Sequence, residues 1–226
     1  MINAKNSLII GASTARSIGV RTQNVRGRIA HRQEYESLLE RDFFTLLRVD
    51  ISVESFITQP IEIPYELGGV RRVYFPDVLV KYRPDSQGAV RRTTLFEVKP
   101  EEYADHPDDE LAAKLAAANL FCPSMGWDFK VVSEPDIYTP RLKNANFLLR
   151  FIERKCDPVH KKLLLEQLRA WNGCATPKAL LAGVFRSTES QAGLLPDLWT
   201  MVAQGTVLTD LDAPLTMNSE IWEKAA

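Results

Sequence analysis

Tyr74-Phe75-Pro76-Asp77, answered twenty residues after the aspartate by Phe96-Glu97-Val98-Lys99-Pro100, decides how this chain is read. A strand places residues i and i+2 on one face. Leu95, Glu97 and Lys99 are therefore predicted to point one way, and Phe96 and Val98 the other. An acid and an amine side by side at the end of an otherwise apolar strand are costly unless something uses them. Asp77 falls in a strand predicted over Arg72 to Tyr82, with Pro76 marking a bulge or a sheet edge. The turn chemistry of Pro84-Asp85-Ser86-Gln87-Gly88 lets that strand neighbour the next, predicted over Arg92 to Lys99, so that Asp77 and Glu97 can meet. Two carboxylates and a lysine converging on one point can hold Mg2+ by oxygen ligands and place a water for attack on phosphate.

Working outward, a helix is predicted from about His31 to Val49, because Tyr35, Leu38, Leu39, Phe43, Leu46 and Leu47 recur at helical spacing. Glu40 lies at the border of that apolar stripe, on a face that must cross the sheet. Ser37-Leu38-Leu39-Glu40 has the form of a capping box. The periodicity already begins at Tyr35, however, which puts Ser37 inside the helix. Val53 to Thr58 starts a strand, Ile61, Ile63 and Tyr65 alternate in the next, and Leu67-Gly68-Gly69 supplies a hairpin turn. Pro107 and Asp108 open an Ala-rich helix to about Phe121. Trp127 to Val132 then forms a strand reached across that helix and predicted parallel to its neighbour. This order is that of an α/β domain with a mixed sheet flanked by helices.

Beyond Pro135 the pattern becomes helical. A connecting helix is predicted over Leu142 to Lys155, broken by Cys156-Asp157-Pro158. Helices follow at about Val159 to Trp171, from Thr176-Pro177 (N-cap and N1) to about Phe185, and from about Ser190 to Ala203, closed by Gly205. Val207-Leu208-Thr209 and Pro214-Leu215-Thr216-Met217 are predicted to form a small hairpin. Three short helices and a hairpin suggest a smaller, winged-helix-like domain. The expected organisation is a basic arm over 1–28, a PD-(D/E)xK nuclease domain over 29–138, a connecting helix over 139–157 and the winged-helix-like domain over 158–226.

The 226 residues, 45% hydrophobic, are enough for one good core or for a larger and a smaller one. The net charge is −1, but it is unevenly spread. From Met1 through Gln33 every formal charge is positive, whereas from Trp171 onward three basic residues face six acidic ones. The front of the chain suits phosphate and the back does not. Arg26 and Arg28 of the arm and Arg32 just beyond it, with the pairs Arg71-Arg72 and Arg91-Arg92 at strand starts, are the candidate DNA-backbone contacts. The predicted third helix of the tail domain carries Gln191 and Asp197 but no Lys or Arg, and the predicted wing carries Asp210 and Asp212. That domain is therefore expected to contact protein rather than DNA. Cys122, Cys156 and Cys174 form no CxxC and fit a reducing cytosol. No stretch reads as a signal peptide or a membrane span, so a cytoplasmic protein without membrane contact is expected.

Taken together, Ser37-Leu38-Leu39-Glu40 with Phe43-Phe44, Gln59-Pro60, Arg72-Val73-Tyr74-Phe75-Pro76-Asp77 and Glu97-Val98-Lys99-Pro100 resemble the amino-terminal domain of TnsA-type transposon endonucleases. The resemblance spans roughly residues 30 to 135. It implies a restriction-endonuclease-like fold and Mg2+-dependent cleavage of DNA at transposon ends, with Mn2+ able to substitute. It also implies a bacterial protein, nucleoid-associated when assembled, that acts as one subunit of a two-protein transposase. In that family a DDE-type integrase partner cuts and joins the 3′ ends while the nuclease subunit cuts the 5′ ends. A AAA+ regulator binds the carboxy-terminal winged-helix domain. Carried over by motif, Glu40 matches the family's helix glutamate, Asp77 its central aspartate and Lys99 its lysine. Glu97 stands where the pattern allows a carboxylate or an amide. Asp77, Glu97, the Val98 carbonyl and Glu40 become the expected metal ligands, and Lys99 the residue that handles the attacking water.

Two other readings of the same residues stay open at this point. One is a stand-alone restriction or repair nuclease of this fold. The other is a catalytically silent DNA-binding adaptor, against which the full set Glu40, Asp77, Glu97 and Lys99 argues.

Overall fold

Two short strands, β1 (Gly27–Ile29) and β2 (Gln33–Tyr35), pair antiparallel ahead of the first helix, α1 (Leu38–Val49). The structure, a computed structural model, describes residues 27–29, 33–35 and 37–224. Helix α1 starts at Leu38 rather than near His31, and Tyr35 belongs to β2. The cause is local. Ser37 Oγ accepts from the Glu40 backbone N–H at 3.1 Å, and its hydroxyl donates to Glu40 Oε1 at 3.1 Å. Ser37 is thus the N-cap that the apolar periodicity argued against. Most of the predicted arm lies outside the described residues, including Arg26 and Arg32.

The chain divides into two units, Met1–Phe43 with Ser52–Asp136, and Phe44–Ile51 with Ile137–Ala226. The first unit continues with β3 (Val53–Thr58), β4 (Ile63–Leu67), β5 (Val70–Tyr74), β6 (Val78–Tyr82), β7 (Thr94–Val98), α2 (Glu101–Asp105), α3 (Asp109–Ser124) and β8 (Asp128–Val132). Its main sheet has the order β3-β6-β7-β8, antiparallel until the final β7–β8 pair, which is parallel. A parallel pair needs a long crossover, and α3 provides it. Asp108 caps α3 by accepting from Leu111 N–H at 2.7 Å. This is an α/β unit with a mixed sheet, consistent with a restriction-endonuclease-like fold.

The single strand predicted over Arg72 to Tyr82 is in fact two strands in two sheets. β5 pairs with β4 in a separate hairpin and ends at Tyr74, and β6 enters the main sheet at Val78. Pro76 has no N–H to give a ladder, so Phe75-Pro76-Asp77 becomes the corner between sheets instead of a bulge within one.

All five residues of β7 are buried, because both faces of the strand are covered. Leu95 and Leu79 pack with Ala118 and Cys122 of α3 and with Ile63, Tyr65 and Tyr74 of the hairpin. On the other face the Phe96 ring meets Phe43 of α1, with centroids 5.2 Å apart. The predicted alternation holds, and it places Glu97 on the Leu95 side.

The chain passes from the first unit to the second within α4 (Glu134–Ile137), at Ile137. It continues with α5 (Pro140–Leu148), a 3-10 turn at Leu149–Phe151, α6 (Pro158–Ala170), β9 (Cys174–Ala175), α7 (Pro177–Val184), α8 (Thr188–Ala203), β10 (Val207–Thr209) and β11 (Ile221–Glu223). Leu148, Leu164, Leu168, Leu180, Leu194, Leu198, Val207 and Ile221 form its core. Thr176 Oγ1 caps α7 by accepting from Ala179 N–H at 3.2 Å, as Thr176-Pro177 predicted. Among the described residues no helix is long and apolar enough to cross a membrane.

Here two expectations are corrected. The hairpin partner of β10 is Ile221–Glu223 and not Pro214 to Met217, in a three-stranded sheet of order β10-β11-β9. The intervening loop is pegged by buried Asn144 of α5. Its amide donates to Leu211 O and Ala213 O at 2.8 Å each and accepts from Leu215 N–H at 3.0 Å. Asp197, read as a surface acid on the third helix, is only 2% exposed. It accepts from Arg154, from His160 Nδ1 at 2.7 Å and from Asp157 N–H at 3.1 Å. Its charge is therefore spent inside the unit.

The asparagine peg gives a direct prediction. Asn144→Ala removes three hydrogen bonds to backbone and is expected to cost about 2–3 kcal/mol, at roughly 1 kcal/mol each. Thermal melting reads the loss, and limited proteolysis should nick residues 211–215 first. An unchanged melting curve would show that the loop holds itself.

Candidate active site

The Asp77 corner is fixed by backbone on both sides. Gln59, at the end of β3 with φ 46°, donates its N–H to the Asp77 carbonyl at 2.8 Å. From β7, Val98 N–H donates to Asp77 Oδ2 at 2.7 Å. The β6–β7 register sets Val78 opposite Phe96, which carries Asp77 on to Glu97 across the strand ends.

Glu97 is 2% exposed. A carboxylate that deep is tolerable only if donors surround it. Lys99 Nζ lies 2.7 Å from Glu97 Oε1, and the Tyr74 hydroxyl donates to Glu97 Oε2. Lys99 Nζ is also 3.8 Å from Asp77 Oδ2 and donates to the Val98 carbonyl at 3.3 Å. The lysine backbone is held in turn, its N–H donating to Val132 O of β8 at 3.0 Å. Lys99 therefore sits among three of the four groups that the sequence nominated as ligands, Asp77, Glu97 and the Val98 carbonyl.

The electrostatics follow from this crowding. Burial pushes the Asp77 carboxyl well above the usual carboxylate value, and Glu97 beside it pushes further. Lys99 opposes that rise and Glu40 adds to it. Burial works against the Lys99 ammonium, but Asp77, Glu97 and Glu40 outweigh it and hold Lys99 above the ordinary lysine value. Glu40 thus belongs to the same electrostatic cluster, brought there by the α1 face that seats Phe43 on Phe96. Burial and Glu97 likewise push Tyr74 upward, so its hydroxyl stays a donor.

Among the described residues no three His, Cys, Asp or Glu side chains gather in metal-binding geometry. The donor chemistry nevertheless suits a hard divalent cation. Asp77, Glu97 and Glu40 bring three carboxylates against one ammonium, which leaves the cluster with an excess of negative charge. Mg2+ takes oxygen ligands and keeps several waters, so a few carboxylates and a carbonyl suffice.

The arginines are distributed differently. Arg72 pairs with Glu110 at 3.3 Å and Arg92 with Asp128 at 3.6 Å. Arg91 stacks over the Tyr82 ring at 3.9 Å and donates to Ser52 Oγ. The two ion pairs are exposed and worth under about 1 kcal/mol, so a phosphate can displace them. Arg71 lies on β5, and only the backbone of Arg28 is described, in β1.

Tyr74 is the site residue to which the sequence gave no role. It was visible as part of the Y-x-P-D motif. Its role depended on β5 leaving the main sheet, which periodicity does not reveal.

Residues 50–134 match the family described as TnsA-like endonuclease N terminal. The matched stretch contains Tyr74, Asp77, Glu97 and Lys99, and Glu40 precedes it. It supports a TnsA-type endonuclease, a nuclease of the transposase type. No curated protein matches the chain.

Proposed function

With residues 50–134 forming a TnsA-like endonuclease domain, we propose that this chain is the DNA-cutting subunit of a transposon-encoded heteromeric transposase. It cleaves the 5′ strands at transposon ends in a reaction that depends on Mg2+ or Mn2+. The observation that carries this reading is the convergence of Asp77, Glu97 and Lys99 at one corner, with Glu40 close enough to act on two of them.

Asp77, Glu97 and the Val98 carbonyl would hold the cation, with Glu40 completing the set directly or through water. When bound, it polarises the phosphate and acidifies a water. The chain's own contribution is charge and placement. Lys99, held cationic by its acidic neighbours in the metal-free chain, would orient or deprotonate the incoming water and offset charge on the phosphate. The Gln59 and Val98 N–H groups keep Asp77 from rotating away. Arg71, Arg72, Arg91 and Arg92, with the basic amino-terminal residues, track the DNA backbone.

The second unit runs helix, strand, helix, helix, strand, strand from α6 to β11, which supports reading it as a winged helix. Its helix α8 carries no Lys or Arg, which favours a protein partner, the AAA+ regulator. A DDE-type integrase would cut the opposite strands.

The test is an excision assay with the cognate integrase subunit and Mg2+, following 5′-strand cleavage. Asp77→Ala and Lys99→Ala are expected to lose cleavage on the order of 10³-fold. Glu40→Ala should lose about 10-fold to 100-fold. Wild-type cleavage by Asp77→Ala would overturn the reading. Robust cutting at a fixed site by the chain alone would replace it with a stand-alone nuclease.

A further inference from the structure

We propose that Tyr74 is a positioning residue for the cation site, clamping one oxygen of Glu97 so that only the other can serve as a ligand. The inference rests on the nuclease reading above and specifies how its site is built. Glu97 has two oxygens with different surroundings. Oε2 receives the Tyr74 hydroxyl, and Tyr74 is 3% exposed within the core shared by the β4–β5 hairpin and α3. Oε1 faces the Lys99 ammonium at 2.7 Å, and Lys99 in turn reaches Asp77. The side chains of Lys99 and Asp77 are 30% and 14% exposed, against 3% for Glu97. The open side of the cluster is therefore the Oε1 side.

The carboxylate is thus gripped from the core by a rigid phenol through one oxygen and turns the other toward the more exposed Lys99 and Asp77. A glutamate with two free oxygens can rotate about its terminal torsion and present either or both to a cation. With Oε2 committed, Glu97 presents Oε1 alone, at a fixed distance from Asp77 and the Val98 carbonyl. Partners behind a metal ligand fix its orientation, and their loss commonly weakens metal binding 10-fold to 100-fold. This also accounts for the separate hairpin. β5 ends at Tyr74, three residues before Asp77, so one corner delivers both the clamp and the central aspartate. A phenylalanine at position 74 would pack as well, so the hydroxyl's bond to Glu97 is what the tyrosine adds there.

The test is titration of Mn2+ into the full chain by calorimetry, with wild type, Tyr74→Phe, Glu97→Gln and the double variant. Tyr74→Phe keeps the ring and removes the hydroxyl. Its Mn2+ affinity is expected to fall about 10-fold or more while the circular dichroism spectrum stays native. In the Glu97→Gln background the same change should have little further effect, since the carboxylate that would hold the cation is gone. Equal affinity of Tyr74→Phe and wild type would overturn the clamp and leave the nuclease reading standing. An additive loss in the double variant would also overturn it. A wild-type chain that neither binds Mn2+ nor cleaves DNA would sink the nuclease reading and the clamp together. If Tyr74→Phe does not fold, Glu97→Asp retracts the carboxylate from the hydroxyl with the tyrosine core intact. It must then show the same loss, and unchanged affinity there overturns the clamp.

Discussion

Lys99→Met is expected to unfold more easily than wild type by about 3 kcal/mol, because it strands buried Glu97 without its cation. Glu97 is nearly sealed from water and its Oε1 faces Lys99 Nζ at 2.7 Å. Methionine restores the bulk of the stem, so the loss reports charge and not a cavity. For a chain of this size the melting temperature should drop by roughly 10 °C in chelator. Added Mg2+ should recover part of that loss by mass action, and more of it than in wild type, since the variant offers three acids and no competing ammonium. Scanning calorimetry with and without Mg2+ measures both. A melting temperature equal to wild type in chelator would show that Glu97 is compensated by other groups.

Asp77→Asn should do the reverse, abolishing cleavage while raising stability on the order of 1 kcal/mol at pH 8. Asparagine keeps an oxygen to accept from Val98 N–H, so the corner geometry survives. The sign follows from the raised Asp77 value, set first by burial and then by Glu97. An acid whose folded value exceeds its unfolded one binds its proton more tightly in the fold. Its contribution to stability is therefore lost as pH rises from the unfolded value toward the folded one. Wild type and Asp77→Asn should coincide in acid and diverge as pH climbs through that window, with the variant the more stable. Urea denaturation across pH reads the difference, and a variant less stable than wild type at pH 8 would contradict it. Lys99 and Asp77 thus predict opposite shifts from one cluster, as expected where three carboxylates share one ammonium.

How much of this was legible in the sequence can be judged residue by residue. The apolar residues Leu95, Phe96 and Val98 around Glu97 announced a strand, though not that both of its faces are covered. The helix-long gap between β7 and β8 announced a parallel pair. Thr176-Pro177 and Asp108 named their own helix starts, because caps are local chemistry. What failed was tertiary. Tyr35 fitted a helical stripe equally well, and only the Ser37 cap showed where α1 begins. Pro76 signalled irregularity but not that the chain would change sheets there, so Tyr74 received no role. Asn144 pegs a loop about 70 residues away, and no periodicity reports that. Asp197 read as a surface acid because Arg154 and His160, which neutralise it, come from about 40 residues earlier. Spacing located the groups that converge at the Asp77 corner, whereas their partners had to be seen in three dimensions.

The parallel pairing of β7 with β8 carries a kinetic consequence. The backbone of Lys99 is tied to Val132, so the ammonium takes its place only after the intervening α3 crossover has closed its loop. Contacts of that sequence separation form late, because their loop entropy is lost before they contribute. A chain still emerging from the ribosome can pair β6 with β7 and bring Asp77 to Glu97, yet lacks the strand that fixes Lys99. The cluster at the Asp77 corner is thus completed by the last strand of its sheet, and a chain that stops short of β8 lacks the backbone tie that fixes Lys99.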